Sequence, residues 1–306
     1  MESLSQVSHD QLRVVSRSQL RVLGWTRHQI SHEIDYGRWT EVAPSVVAMQ
    51  NAPLTRDQRI WLGFLHAGPR SALSHGTACE EGGLEGWESE TIDVLTQKGD
   101  LVPDLEGFFF HQTRREYQQW VHSSGEPRRL RLDKAALLAA ERERSIHRGI
   151  GRVAACVQQR LTTADRLLHS SFDVSKLRHG HQLRLALGDI AGGAQSFAEI
   201  DIGRLCQEVG LAPPVRQRVR RDKDGRRRYL DCEWELPNGR IIVLEIDGSF
   251  HLLVENWWRD MKRERGVAIS GRTVLRCSSI EIRLEPSDIL LDLAAIGVPR
   301  NTRSAA

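Results

Sequence analysis

Glu245 and Asp247 stand two residues apart at the end of an aliphatic run, in the stretch LEIDGSFH, with Gly248 and His251 close behind. Residues two apart on a strand share one face, so these two carboxylates point the same way. The run before them, IIVLEI, is apolar on both faces, which is the mark of a strand inside a sheet rather than at its exposed edge. Upstream, Asp231 lies in RRRYLDCEWEL. Carboxylates gathered in this way repel one another unless a proton or a divalent cation intervenes, and oxygen ligands suit Mg²⁺ or Mn²⁺. A cation held there would lower the pKa of a bound water and offset charge developing on a phosphate, which is the chemistry of phosphodiester hydrolysis.

The elements that must position these acids are readable from patterning. SFAEIDIGRLCQEVG predicts a helix, PPVRQRVRR a strand, DKDG a turn and RRRYLDCEWEL a second strand. PNG is a turn, RIIVLEID a third strand, VENWWRDMKRERGVAIS a helix, RTVLRCS a fourth strand and SDILLDLAAIG a final helix. The order α-β-β-β-α-β-α describes a mixed α/β domain. Pro237, Asn238 and Gly239 fit a three-residue hairpin loop, with proline opening a type I turn and glycine in the left-handed position. That loop pairs Leu236 with Arg240 and therefore Asp231 with Glu245. It also sets Leu230, Cys232 and Trp234 opposite Ile246, Leu244 and Ile242, giving one apolar face and one acidic face. A two-residue loop would mix acids into the apolar row. Directly paired side chains have Cβ atoms about 5 Å apart, close enough to share a cation.

The segment YLDCEWELPNGRIIVLEIDGSFH, followed by WWRDMKRERGVAISGRTVLRCSSIEI, resembles the PD-(D/E)XK endonuclease superfamily, in particular the branch similar to the very-short-patch-repair endonuclease. The resemblance covers about 188–297. It implies a restriction-endonuclease-like fold, with Asp231 as the motif aspartate and Glu245 as the glutamate of the E-x-K triplet. Glu199, in SFAEID, resembles the additional helical acid of many members. These residues would hold Mg²⁺, or Mn²⁺, together with the Ile246 carbonyl. The chain departs from the pattern at Asp247, where the superfamily carries lysine, and a carboxylate cannot supply positive charge. Asp247 would bind metal or orient water instead. His251 becomes the candidate base or water-orienting group, and Lys262 and Arg263 become phosphate contacts.

Between Val215 and Tyr229 there are seven arginines and one lysine against two aspartates. Arg218, Arg220 and Arg227 in this ribbon are candidate phosphate contacts, since an acidic centre acting on a polyanion needs neighbouring cations.

The first fifty residues hold three short helical patterns, HDQLRVV, SRSQLRVLG and TRHQISHEIDYG, then a strand pair joined through Pro44 and Ser45. Ser16 or Ser18 and Thr26 are the expected N-caps, and Gly24 and Gly37 the stops. Three helices and a hairpin is the order of a winged helix-turn-helix. Its third helix would present Arg27 and Gln29, with His28, Ser31 and His32, to DNA. The first hundred residues, through PLTRDQRIWLGFLHAGPRSALSHGTACEEGGLEG, are similar to AbiEi-type antitoxins. That resemblance implies DNA or protein-partner binding and carries no catalytic residue.

The expected organisation is therefore a winged helix-turn-helix at 1–50, an α+β middle region and helical connector at 51–187, the nuclease-like domain at 188–298 and a tail at 299–306. No chemistry is assigned to the middle region. The leading expectation is a metal-dependent DNA endonuclease working in repair, phage defence or a toxin–antitoxin system. The rival is a non-catalytic DNA-binding regulator, or antitoxin-like protein, that keeps the nuclease fold as a scaffold. RNA is not separable from DNA as substrate, and a homodimer or a protein partner would engage the N-terminal domain.

A net charge of +3 over 306 residues confines any basic surface to local clusters. The five cysteines are odd in number and widely spread, which reads as reduced core thiols rather than zinc ligands. No run approaches the roughly 20 apolar residues that span a bilayer, and the N-terminal residues lack a signal-peptide pattern, so a cytoplasmic protein without membrane association is expected.

Overall fold

Helices in the N-terminal segment begin where a hydroxyl residue stands three positions ahead of a glutamine. Ser16 with Gln19, Thr26 with Gln29 and Thr55 with Gln58 each close a reciprocal capping box. Two backbone N–H groups that lack helical partners are satisfied in each. The structure, a computed structural model, describes residues 3–192, 195–221, 227–247, 267–269, 272–278, 281–282 and 286–301; of 195–201, 216–221, 227–231, 247, 267–269, 272 and 278 it describes the backbone alone. Two compact units are present. The first comprises Met1–Arg142, Gln159–Thr162 and Ser170–Leu177, and the second Glu143–Gln158, Thr163–His169 and Arg178–Ala306.

The first unit starts with α1 (Leu4–Asp10), β1 (Val14–Ser16), α2 (Arg17–Val22), α3 (Arg27–Asp35), β2 (Thr40–Ala43) and β3 (Val46–Ala48). The three strands form a sheet in the order β1-β3-β2, and Val7, Val15, Leu20, Ile30, Trp39 and Val47 close a small core over it. Val14 and Val15 were expected to continue the first helix. Instead Leu12 and Arg13 adopt left-handed backbone angles, φ 52° and 68°, and the two β-branched residues pair with Ala48 and Val47.

The unit continues with α4 (Arg56–Ala67), β4 (Ala72–Leu73), α5 (His75–Glu80), β5 (Ile92–Gln97), β6 (Phe108–Thr113), a 3-10 turn (Tyr117–Trp120) and α6 (Leu132–Arg142). The sheet order is β4-β5-β6, with β5 and β6 parallel. RRLRL, expected to be strand-like, makes only isolated bridges, Leu73 with Arg129 and Val121 with Leu130. Two buried polar groupings tie this part together. Ser74 Oγ lies 2.8 Å from His75 Nδ1, the His75 ring stacks on His111 at 3.7 Å, and His111 Nε2 lies 2.7 Å from Asp93 Oδ1. Lys134, 1% exposed, donates to the Ser170 carbonyl at 3.0 Å and to Asp173 at 2.7 Å.

The second unit contains α7 (Ile146–Gln158), the first part of α8 (Ala164–Asp173), α9 (Gly180–Gly192), α10 (Gln195–Glu208), β7 (Val215–Arg221), β8 (Arg227–Glu235), β9 (Ile241–Asp247), β10 (Val267–Ile269), β11 (Arg272–Ser278) and α11 (Pro286–Ala295). Its five strands run β10-β11-β9-β8-β7. β9 pairs antiparallel with β8 and parallel with β11, which places it at the centre. Ile202 and Cys206 of α10, Ile289, Leu290 and Leu293 of α11, and one face of the sheet form a single buried cluster.

Val267, Ala268 and Ile269 were expected at the end of a helix. They form β10, antiparallel to β11, through Val267↔Val274 and Ile269↔Arg272. Three apolar residues in a row satisfy either period, and the neighbouring strand decides. The rest of that expected helix lies outside the described residues.

Candidate functional site

β8 and β9 pair as Glu235↔Ile241, Trp234↔Ile242, Glu233↔Val243 and Cys232↔Leu244. The Leu236 amide donates to the Arg240 carbonyl at 2.8 Å, and Gly239, at φ +78°, takes the left-handed position that the Pro-Asn-Gly loop requires. This is the register that the alternation of apolar and acidic residues demanded. The pairing is recorded as far as Cys232↔Leu244, and one further step in the same register would set Asp231 opposite Glu245.

The two faces of the sheet differ sharply in chemistry. Cys232, Trp234, Ile242, Leu244, Ile246, Leu275 and Cys277 are all buried in the cluster beneath α10 and α11. By alternation, Asp231, Glu233, Glu245, Asp247 and Arg276 occupy the other face. That face is covered at its middle, where Glu233 and Val243 are each 1% exposed. It opens toward Glu245, whose side chain is 40% exposed. Arg276, on β11, is the register partner of Glu245, and its Nε donates to Glu245 Oε2 at 2.9 Å. Asp247 follows on the same strand, paired with Ser278.

Glu199 sits on α10 three residues before Ile202 and seven before Cys206, the spacing of one helical stripe. Both of those residues are buried against the sheet, so the backbone position of Glu199 lies one turn earlier on the sheet-facing side. Burial in the same stripe pushes the Cys206 thiol up to about 11, which makes it an inert core group. The other four cysteines are buried as well.

The basic strand divides between the two faces. β7 pairs with β8 as Arg216↔Cys232, Arg218↔Leu230 and Arg220↔Arg228. Register therefore sets Arg218 on the face of Leu230 and Cys232, opposite the acids, and Arg220 with it. Arg227, paired with Arg221, falls on the acidic side. His251, Lys262 and Arg263 lie outside the described residues. Of the predicted acids, Glu245 alone has a described side chain, and among the described residues no group of three or more His, Cys, Asp or Glu side chains is arranged to hold a metal.

In the first unit, Arg27, His28 and Gln29 are exposed on the first turn of α3, while Ile30 anchors that helix in the core. The Gln29 side chain has a structural task, since its Oε1 accepts from the Thr26 backbone N–H at 2.8 Å. His32 is held in a surface cluster with Tyr36, Glu33 and Arg38. The Arg38 guanidinium holds the Glu33 carboxyl below its ordinary range.

Arg276 and Glu233 are the residues that sequence reasoning missed. Thr273, Leu275 and Cys277 alternate with Val274 and Arg276 in RTVLRCS, so the face of Arg276 was readable once the strand was recognised. Its neighbour was not, because a parallel pairing has no connecting turn to fix register.

No helix among the described residues is long and apolar enough to cross a membrane. No protein-family model matches the sequence, and a search of curated proteins finds no relative of it.

Proposed function

We propose that the second unit is a metal-dependent nuclease centre hydrolysing phosphodiester bonds in DNA, and that the N-terminal segment of the first unit binds DNA or a protein partner. The observation that carries this reading is the β8–β9 register, Cys232↔Leu244 through Glu235↔Ile241. Continued by one step, that register would set Asp231 opposite Glu245, while Cys232, Trp234, Ile242 and Leu244 stay buried on the reverse face.

The donor chemistry suits Mg²⁺ or Mn²⁺: a carboxylate at the open end of a sheet face is a hard oxygen ligand. Asp231 and Glu245, with the Ile246 carbonyl, would hold the ion, and Glu199 would assist from α10. When bound, the ion supplies Lewis acidity and a more acidic water. Asp247 would bind the ion or orient the attacking water, and His251 would accept that water's proton as the oxygen bonds to phosphorus. One phosphorus–oxygen ester bond breaks, and the leaving alkoxide takes up a proton. The capped helix α3 presents Arg27 to nucleic acid, and Arg227 stands on the acidic side of the sheet to meet the phosphate backbone.

A second reading is favoured by the Glu245–Arg276 ion pair and by the acid at position 247. In it the chain is a non-catalytic DNA-binding regulator that keeps the sheet as a scaffold, and Arg276 satisfies Glu245 permanently.

Thermal unfolding with and without Mn²⁺ separates the two. A cation at a hundred times its Kd stabilises the folded state by about 2.7 kcal/mol. The nuclease reading expects a higher midpoint in Mn²⁺ for the wild type and no gain for Glu245→Ala. Identical midpoints with and without the ion in both proteins would sink the cation site.

A further inference from the structure

We propose that Arg276 supplies the positive charge of this site, binding the scissile phosphate from the strand beside Glu245. The inference rests on the nuclease reading and deepens it. A phosphodiester centre built from Asp231, Glu245 and Asp247 carries only negative charge of its own. A cation must then come from a neighbouring strand, at the same level of the sheet and on the same face.

Arg276 meets each condition. The parallel register of β9 and β11 pairs it directly with Glu245, and alternation with the buried Leu275 and Cys277 keeps it on the acidic face. Its Nε is anchored to Glu245 Oε2 at 2.9 Å, which leaves the planar fork fixed in direction. Among the described residues its Nη1 and Nη2 meet no partner, and the side chain is 58% exposed. Those two nitrogens are donors suited to two oxygens of one phosphate. Glu245 thus acts on both sides, toward the ion through one oxygen and toward the arginine through the other.

The ion pair is exposed, and such pairs contribute little to folding, so the substitution should leave the protein folded. The test uses the full chain as wild type, Arg276→Gln and Arg276→Lys, with supercoiled plasmid as substrate in Mg²⁺ or Mn²⁺. Mn²⁺ binding is followed in parallel by titration calorimetry. Removing one preorganised donor to a developing oxyanion lowers kcat by about 100-fold or more. Arg276→Gln should show that loss in kcat, with Mn²⁺ affinity equal to or tighter than wild type because Glu245 has lost its competitor. Arg276→Lys should recover part of the rate. Cutting at the wild-type rate by Arg276→Gln, beside an active wild type, would overturn the role of Arg276 and leave the nuclease intact. Loss of Mn²⁺ binding in Arg276→Gln would also overturn it, since the arginine would then be supporting the ion's ligands. A wild type that cuts nothing while binding plasmid would overturn both.

Discussion

The loop that sets the acidic register can be tested by one substitution made at two glycines, with opposite expected signs. Gly239 closes the β8–β9 hairpin at φ +78°, and a Cβ built on it would meet no atom within 4 Å. Alanine there suffers no clash, so the whole penalty is conformational. The left-handed region costs an L-residue about 1–2 kcal/mol. Alanine also narrows the unfolded ensemble, which favours folding by about 0.4–1 kcal/mol. The two terms leave a net loss of about 1 kcal/mol. Gly188 lies inside α9 with ordinary helical angles and equally open space around its Cβ. Alanine there should gain about 0.5–1 kcal/mol.

In a unit of about 150 residues, 1 kcal/mol moves the midpoint by about 2–4 °C. Gly239→Ala should therefore melt about 2–4 °C lower and Gly188→Ala about 1–4 °C higher. Urea unfolding followed by circular dichroism should show shifted midpoints with unchanged slopes. Gly239→Asn, which tolerates left-handed angles, should fall between Gly239→Ala and wild type. Equal or greater stability of Gly239→Ala would refute the left-handed turn and with it the register that runs toward Asp231 and Glu245.

Lys134 gives a second test, because a nearly fully buried ammonium needs its counter-charge. Asp173→Ala should lose about 1–3 kcal/mol in urea unfolding, and adding Lys134→Met should restore most of it by removing the charge left behind. Equal losses in the single and double variants would contradict that. In the second unit, the Cys206 thiol is raised from 9.0 to about 11 in the folded state, so the unfolded chain releases its proton first. The stability it supports is fully present below about pH 9 and declines as pH rises toward 11, a slope that Cys206→Ala should remove in urea titrations at pH 8 and 10.5. On α3, Gln29→Ala should lower stability by about 1 kcal/mol through its capping box. Arg27→Ala should stay within about 0.5 kcal/mol of wild type yet weaken duplex DNA binding in fluorescence anisotropy. Unchanged anisotropy would remove Arg27 from the interface.

The parts of the structure legible in the sequence are those fixed by local chemistry. Ser16 and Thr26 each stand three residues before a glutamine, and both close capping boxes. Pro237, Asn238 and Gly239 dictate a loop length, and alternation of apolar and acidic residues then selects the pairing of Cys232 with Leu244. Contacts decided at long range were not legible. Val14 and Val15 become a strand only because Val47 and Ala48, more than thirty residues on, pair with them. Val267 to Ile269 form a strand because β11 lies alongside. The Glu245–Arg276 pair depends on a parallel crossover, which no turn encodes. Likewise, the arginines of β7 read as one basic ribbon in sequence, but strand pairing sends Arg218 and Arg227 to opposite faces.

The most direct measurement is cleavage of plasmid DNA and of end-labelled single- and double-stranded DNA and RNA, in Mg²⁺ or Mn²⁺, by wild type and Asp231→Ala. The account predicts cutting that requires the ion and is lost in Asp231→Ala, with DNA binding retained. Binding without cutting by the wild type on every substrate, in either ion, would contradict it and leave a regulator built on the same sheet.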